Sequence, residues 1–138
     1  MKHNALLTVA SLLSILLFLF HLSDEIVRGL EPGGVKSFNG VLILVVWLYG
    51  TLVLAGRRSG YVIMLLGSIL GAGVSVLHMT GAGLVGGRIA NTGGMFFWVG
   101  TLMALGLTAV FSFLLSAHGL WSLRATALLA KERTGDSK

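Results

Sequence analysis

The chain has 138 residues, of which 55% are hydrophobic and only 11% are charged, and its mean hydropathy is +0.91. Soluble domains carry about 25% charged residues, so this composition excludes an ordinary soluble globule and a disordered segment. A single proline and the lack of cysteine exclude collagen-like chains, disulfide scaffolds and cysteine-based metal or catalytic sites. The net charge of +5 comes without a nucleic-acid-binding motif, so we expect a lipid bilayer, and not nucleic acid, as the partner of the basic residues.

Four uncharged intervals are long enough to cross a membrane, which needs about 20 apolar residues in a helix. They hold 21, 20, 29 and 35 residues, and they lie between Lys2 and Asp24, Lys36 and Arg57, Arg58 and Arg88, and Arg88 and Arg124. The first interval ends without a small-x-small cleavage site, so we expect an uncleaved first helix and not a signal peptide. The pattern predicts an all-α polytopic membrane protein, an antiparallel bundle of four transmembrane helices at about 5–28, 38–56, 60–80 and 95–122.

Lysine and arginine are unevenly distributed between the two sides of this predicted bundle. With four spans both termini lie on one side, and the termini and the second loop together hold seven of the ten basic residues. Because cytoplasmic loops are enriched in these residues, we expect both termini in the cytoplasm of a bacterial inner membrane. Residues 1–123 then form the membrane domain, and residues 124–138 form a short basic cytoplasmic tail.

Glycine and proline mark the connections between the predicted helices. Gly29 is placed to end the first helix, and the segment 31–34 is typical of a turn. The segment 55–60 predicts a tight hairpin that makes the second and third helices antiparallel neighbours. Residues 81–94 predict a flexible glycine-rich loop.

Small residues recur on one face of the third predicted helix. Gly67, Gly71 and Ser75 form a small-xxx-small pattern, which lets two helix backbones approach closely. The contact lies either within the bundle or between subunits. For the second case we expect a homo-oligomer or a larger membrane complex.

Three aromatic residues are candidates for lining a pocket: Trp47, Tyr49 and Trp98. Trp47 is predicted near the middle of the bilayer, where its indole N–H needs a partner. A serine or threonine of a neighbouring helix is the partner we expect.

Polar side chains cluster at the end of the first predicted helix. His21, Asp24, Glu25 and Arg28 occupy positions i, i+3, i+4 and i+7, so their side chains are able to meet along one flank. His78 of the third helix lies 20 residues beyond Arg58, and His21 lies 19 beyond Lys2, so the two histidines sit at matched depth. Intramembrane ionisable groups are hypotheses of function by default.

These residues predict a non-enzymatic membrane protein that binds or passes a small ligand or ion at its outer-leaflet end, or docks as an accessory subunit. No catalytic residue is assigned, and no cofactor is expected on this interpretation. In a first alternative, His21 and His78 ligate a haem, a chlorophyll-like tetrapyrrole or a metal ion. In a second, the protein is an enzyme acting on a lipid-soluble substrate. In a third, the cluster is only a capped helix end.

Overall fold

The computed structural model describes residues 2–29, 38–80 and 94–135. They form four helices: α1 (Lys2–Val27), α2 (Phe38–Leu52), α3 (Arg58–Thr80) and α4 (Met95–Gly135). The all-helical fold class predicted from composition is confirmed for these residues. Most of the predicted first loop, the glycine-rich loop over 81–93 and the last three residues of the tail lie outside the described residues.

Three of the four helices are long and apolar enough to cross a membrane. Their apolar stretches cover 24 residues of α1, 21 of α3 and 35 of α4. With 15 residues, α2 spans about 22 Å, which is shorter than the hydrocarbon core of about 30 Å. In contrast, α4 has 41 residues and spans about 62 Å, and it continues past residue 122, where the fourth span was predicted to end.

Two glycines in left-handed backbone conformation follow helix ends. Gly29 has a φ of 69° directly after the last turn of α1, as its predicted helix-ending position requires. Gly56 has a φ of 77° in the hairpin of residues 53–57, where the Arg57 amide donates to the Leu54 carbonyl at 3.0 Å. The hairpin places α2 and α3 side by side, running in opposite directions.

The small-residue face of α3 packs inside the bundle. A Cβ atom at Gly67 would overlap the Trp47 indole of α2. One at Gly71 would lie 3.2 Å from the Ala109 Cβ of α4. The seam predicted from the sequence is therefore a contact between α3 and its two antiparallel neighbours.

Many of the side chains buried in the bundle interior are those of serine and threonine. Trp47 Nε1 donates to Ser11 Oγ at 2.9 Å, which supplies the kind of partner expected for this indole. Ser11 Oγ also lies 2.8 Å from Thr51 Oγ1, so α1 and α2 share a buried polar contact. Ser14 Oγ donates to Thr108 Oγ1 at 3.0 Å, which joins α1 to α4. Such interhelical hydrogen bonds are typical of helices that associate in lipid.

Large apolar side chains cover the outside of the bundle. Leucine, valine, isoleucine and phenylalanine residues at least one-third exposed occur along all four helices. Soluble monomers rarely expose apolar patches beyond a few hundred square ångströms. A polar interior with an apolar exterior is the arrangement that suits a lipid environment.

Candidate functional site

The site lies at one end of the bundle, where α1, α3 and α4 meet. We call this the histidine end, and it contains His21, Glu25, His78 and Trp98. The opposite end, which carries the hairpin of residues 53–57, is the hairpin end. Because α1 and α3 run in the same direction, their last turns meet at the histidine end. The first turn of α4 joins them there.

Three potential metal ligands converge between α1 and α3. The Nε2 atoms of His21 and His78 lie 3.4 Å and 3.0 Å from Glu25 Oε1. One donor atom from each of the three residues falls within 4.8 Å of the other two. The His21 and Glu25 side chains are almost fully buried, and the His78 side chain is 17% exposed. We call these three residues the His–Glu–His cluster.

A backbone contact orients the His78 ring. His78 Nδ1 lies 2.9 Å from the Val74 carbonyl oxygen, one turn earlier in α3. Since a carbonyl oxygen only accepts hydrogen bonds, Nδ1 carries a proton and Nε2 is the nitrogen directed at Glu25. A lone pair on Nε2 and a carboxylate oxygen repel each other at 3.0 Å, so a proton or a metal ion between them stabilises the arrangement.

Buried polar atoms around the cluster lack hydrogen-bond partners. Among the described residues, neither ring nitrogen of His21 has one, and neither does Trp98 Nε1. The Trp98 ring centre lies 6.2 Å from that of His21 and 6.1 Å from that of His78. Burying a polar group without a hydrogen-bond partner costs free energy, so these atoms are available to bind a further group.

Asp24 and Arg28 form a separate ion pair on the partly exposed side of α1. Arg28 Nε donates to Asp24 Oδ2 at 2.8 Å, and both side chains are partly exposed. This hydrogen bond raises the pKa of Arg28, so the guanidinium stays charged. The sequence placed these residues with His21 and Glu25 in one constellation, and the structure divides it into a buried cluster and a surface ion pair.

The other predicted residues lie in different surroundings. Trp47 lines an apolar groove of about 300 Å³ between α2 and α3, and Tyr49 is half-exposed two residues further along α2. Trp98 is the only one of the three candidate pocket-lining aromatics placed beside the histidines in the described part of the chain. Gly67 and Gly71 belong to the packing seam, below the histidine end.

Two contacts at the histidine end were not predicted from the sequence. One is the Val74 carbonyl that holds the His78 ring. The spacing i−4 on a helix is a usable signal for such a contact, because a histidine ring reaches the preceding turn. The other is Gly94, where any Cβ atom would overlap the Arg28 guanidinium. No local pattern around Gly94 indicates that contact.

Comparisons with protein-family models, with curated protein sequences and with solved structures found no match to this chain.

Proposed function

We propose that the protein is a four-span membrane protein that binds a divalent transition-metal ion in the His–Glu–His cluster. The observation that carries this proposal is the convergence of His21, Glu25 and His78 from two helices within 4.8 Å. Two imidazoles and one carboxylate are ordinary ligands of zinc and of other first-row metals. We also propose that both termini and the hairpin end face the cytoplasm, which puts the cluster at the opposite face.

Two of the three donor-atom separations in the cluster are close to those of a tetrahedral site. With metal–ligand bonds of about 2.0–2.1 Å, neighbouring donor atoms lie roughly 3.3 Å apart. The Nε2 atoms of His21 and His78 lie 3.4 Å and 3.0 Å from Glu25 Oε1. All three donor atoms lie within 4.8 Å of one another, which is wider than the tetrahedral spacing, so binding one ion requires them to move closer together. Three protein ligands leave a fourth position for water or another molecule.

The same geometry favours a single ion over a tetrapyrrole. An iron bound between two imidazoles holds each nitrogen about 2 Å away, with the macrocycle lying between the rings. The ring centres are then more than about 6 Å apart on the same bond lengths. The centres of the His21 and His78 rings are 4.8 Å apart, with Glu25 beside both.

Docking as a subunit, passage of an ion and catalysis on a lipid-soluble substrate stay predictions.

The test is zinc binding by the purified full-length protein in mild detergent. We expect one Zn²⁺ per chain, and we expect at least a tenfold loss of affinity in His78→Ala, because even an outer-shell partner contributes that much. His118→Ala is the matched control, since it also removes a histidine but from the exposed surface of α4. Its zinc affinity is expected to equal that of the wild type.

Two outcomes would contradict the proposal. One is the lack of saturable zinc binding by the wild type, and the other is equal binding by wild type and His78→Ala. A visible absorption spectrum of the same preparation separates the tetrapyrrole alternative. A Soret band that disappears in His21→Ala and in His78→Ala would replace the metal-ion proposal with haem ligation.

A further inference from the structure

Trp98 forms the wall of the His–Glu–His cluster on the side of α4. Its ring centre lies 6.2 Å from that of His21 and 6.1 Å from that of His78. Aromatic rings whose centres are about 4.5–7 Å apart pack directly against each other. The three candidate ligands come from α1 and α3, and α4 contributes none among its described residues. A further ligand bound on the side of α4 would therefore meet Trp98.

The indole N–H of Trp98 is a buried donor without an acceptor in the part of the chain that the structure describes. The residue is only 5% exposed, so bulk water does not replace the missing acceptor. Because an indole nitrogen donates hydrogen bonds and does not accept them, the group that satisfies it must be an acceptor. The equally buried indole of Trp47 does have such a partner, since it donates to Ser11 Oγ at 2.9 Å.

The charge balance of a metal-loaded cluster favours an anionic acceptor. A divalent ion held by two neutral imidazoles and the Glu25 carboxylate carries one net positive charge. The neighbouring ion pair of Asp24 and Arg28 has no net charge. Since an uncompensated charge is costly to bury, one monovalent anion on the metal would complete the balance. The first turn of α4, which contains Trp98, acts in the same direction, because the N-terminal end of a helix favours negative charge.

Burial limits the size of this anion. The side chains of His21, Glu25 and Trp98 surround the cluster on three sides, and each residue is no more than 5% exposed. His78 is the most exposed of the four residues, so the route to the surface passes beside its ring. The site therefore suits a ligand of a few atoms and not a bulky one.

We infer that the fourth position on the metal takes a small monovalent anion, and that the Trp98 indole N–H donates a hydrogen bond to this anion. The inference rests on the proposed metal binding. The unpartnered indole requires an acceptor, the charge balance requires one negative charge, and the burial requires a small ligand. Because Trp98 touches the anion and not the metal, its replacement weakens anion binding and leaves metal binding unchanged.

The experiment titrates azide into the full-length protein loaded with Co²⁺ in mild detergent, because the visible bands of cobalt change when an anion joins its ligands. We expect the azide Kd of Trp98→Phe to be about tenfold higher than that of the wild type, since hydrogen bonds to charged acceptors are among the stronger ones. Phenylalanine keeps an aromatic wall and removes only the donor. Trp121→Phe is the matched control, because it removes an exposed indole from the opposite end of the bundle. Its azide Kd is expected to equal that of the wild type.

The indole N–H signals in the NMR spectrum of the wild type give a second measurement, which does not depend on the folding of Trp98→Phe. The chain has three tryptophans, and the variants Trp47→Phe and Trp121→Phe identify two of the three signals. In the Zn²⁺-loaded protein we expect azide to shift the remaining signal downfield and to leave the other two in place. An unshifted Trp98 signal at saturating azide would overturn the inference.

The cobalt titrations separate this inference from the proposed metal site. A wild type that binds no cobalt would refute the metal proposal, and the anion inference with it. Cobalt binding with equal azide Kd values in the wild type and Trp98→Phe would refute the anion inference alone. Weaker cobalt binding by Trp98→Phe with an unchanged azide Kd would assign the indole N–H to the Glu25 carboxylate and overturn the anion contact. Benzoate bound as tightly as azide would contradict the size limit.

Discussion

Gly67 is a residue at which the packing of the bundle has no room for one added carbon. Its missing side chain leaves room for the Trp47 indole, which is 2% exposed and hydrogen-bonded to Ser11. A methyl group there overlaps the ring and not the end of a flexible side chain. The indole would have to move, and its hydrogen bond would be strained.

We therefore expect Gly67→Ala to lower the free energy of unfolding by about 1–3 kcal/mol, the usual cost of overpacking a core. Gly73→Ala is the control on the same helix, because no atom of the described residues lies within 4 Å of the Cβ position. It is expected to leave stability unchanged or to raise it by up to about 1 kcal/mol through helix propensity. Unfolding in a detergent titration measures both variants. Equal stability of the two would contradict this account of the seam.

At the residue scale, the sequence predicts how deep along its helix a side chain lies. It does not predict how the helix is rotated about its axis. Counting residues from Lys2 and Arg58 places His21 and His78 at one level, since each helix rises evenly along its axis. The partner of Trp47 is foreseeable because a bilayer interior offers an indole N–H no water. In contrast, the contact of Arg28 with Gly94 depends on how α1 and α4 are rotated about their axes. No periodicity within either segment determines that rotation.

At the scale of elements, the hairpin between α2 and α3 depends on one left-handed residue. Gly56 has a φ of 77°, and in the described part of the chain only the Asn4 amide, at 3.7 Å, lies within 4 Å of its Cβ position. A side chain is therefore opposed by backbone conformation and not by crowding.

Gly56→Ala is expected to destabilise the protein by about 1–2 kcal/mol, the cost of a left-handed conformation for a residue with a Cβ atom. Gly100→Ala serves as its control, because Gly100 lies inside α4 and, within residues 2–29, 38–80 and 94–135, no atom comes within 4 Å of its Cβ position. The same unfolding titration reports both. A Gly56→Ala protein as stable as Gly100→Ala would show that the hairpin adapts without strain.

The helix lengths show where sequence-based boundaries fail. Charge spacing predicted four spans of similar kind, yet α2 has only 15 residues and α4 has 41. Helix α2 ends at Leu52 because the hairpin of residues 53–57, with its left-handed Gly56, begins before the apolar run ends. The residues after 122 extend α4 because alanine, leucine and arginine favour helix. Hydropathy indicates that a segment prefers lipid, but it does not determine how many turns of helix the segment forms.

At the scale of the whole molecule, the orientation in the membrane is open to direct measurement. The chain has no cysteine, so Ser23→Cys and Ser59→Cys each give a single thiol. Ser23 is exposed near the histidine end, and Ser59 is exposed at the start of α3, near the hairpin. These two positions report the two faces of the bundle.

With the termini in the cytoplasm, we expect an impermeant maleimide to label Ser23→Cys in intact cells. Ser59→Cys is expected to react only after the membrane is permeabilised, because basic loops stay on the cytoplasmic side. The reverse labelling pattern would invert the proposed topology. Labelling of both positions in intact cells would indicate that the chain inserts in two orientations.

The division of the His–Glu–His cluster between two helices bears on how the protein is made. His21 and Glu25 leave the ribosome more than fifty residues before His78. During that interval α1 enters the bilayer carrying a carboxylate whose histidine partner on α3 does not yet exist. Closure of the cluster is then a late event of biogenesis, which follows the docking of α3 beside α1. On the proposed metal binding, metal occupancy would accordingly distinguish fully assembled chains from those arrested after the first helix.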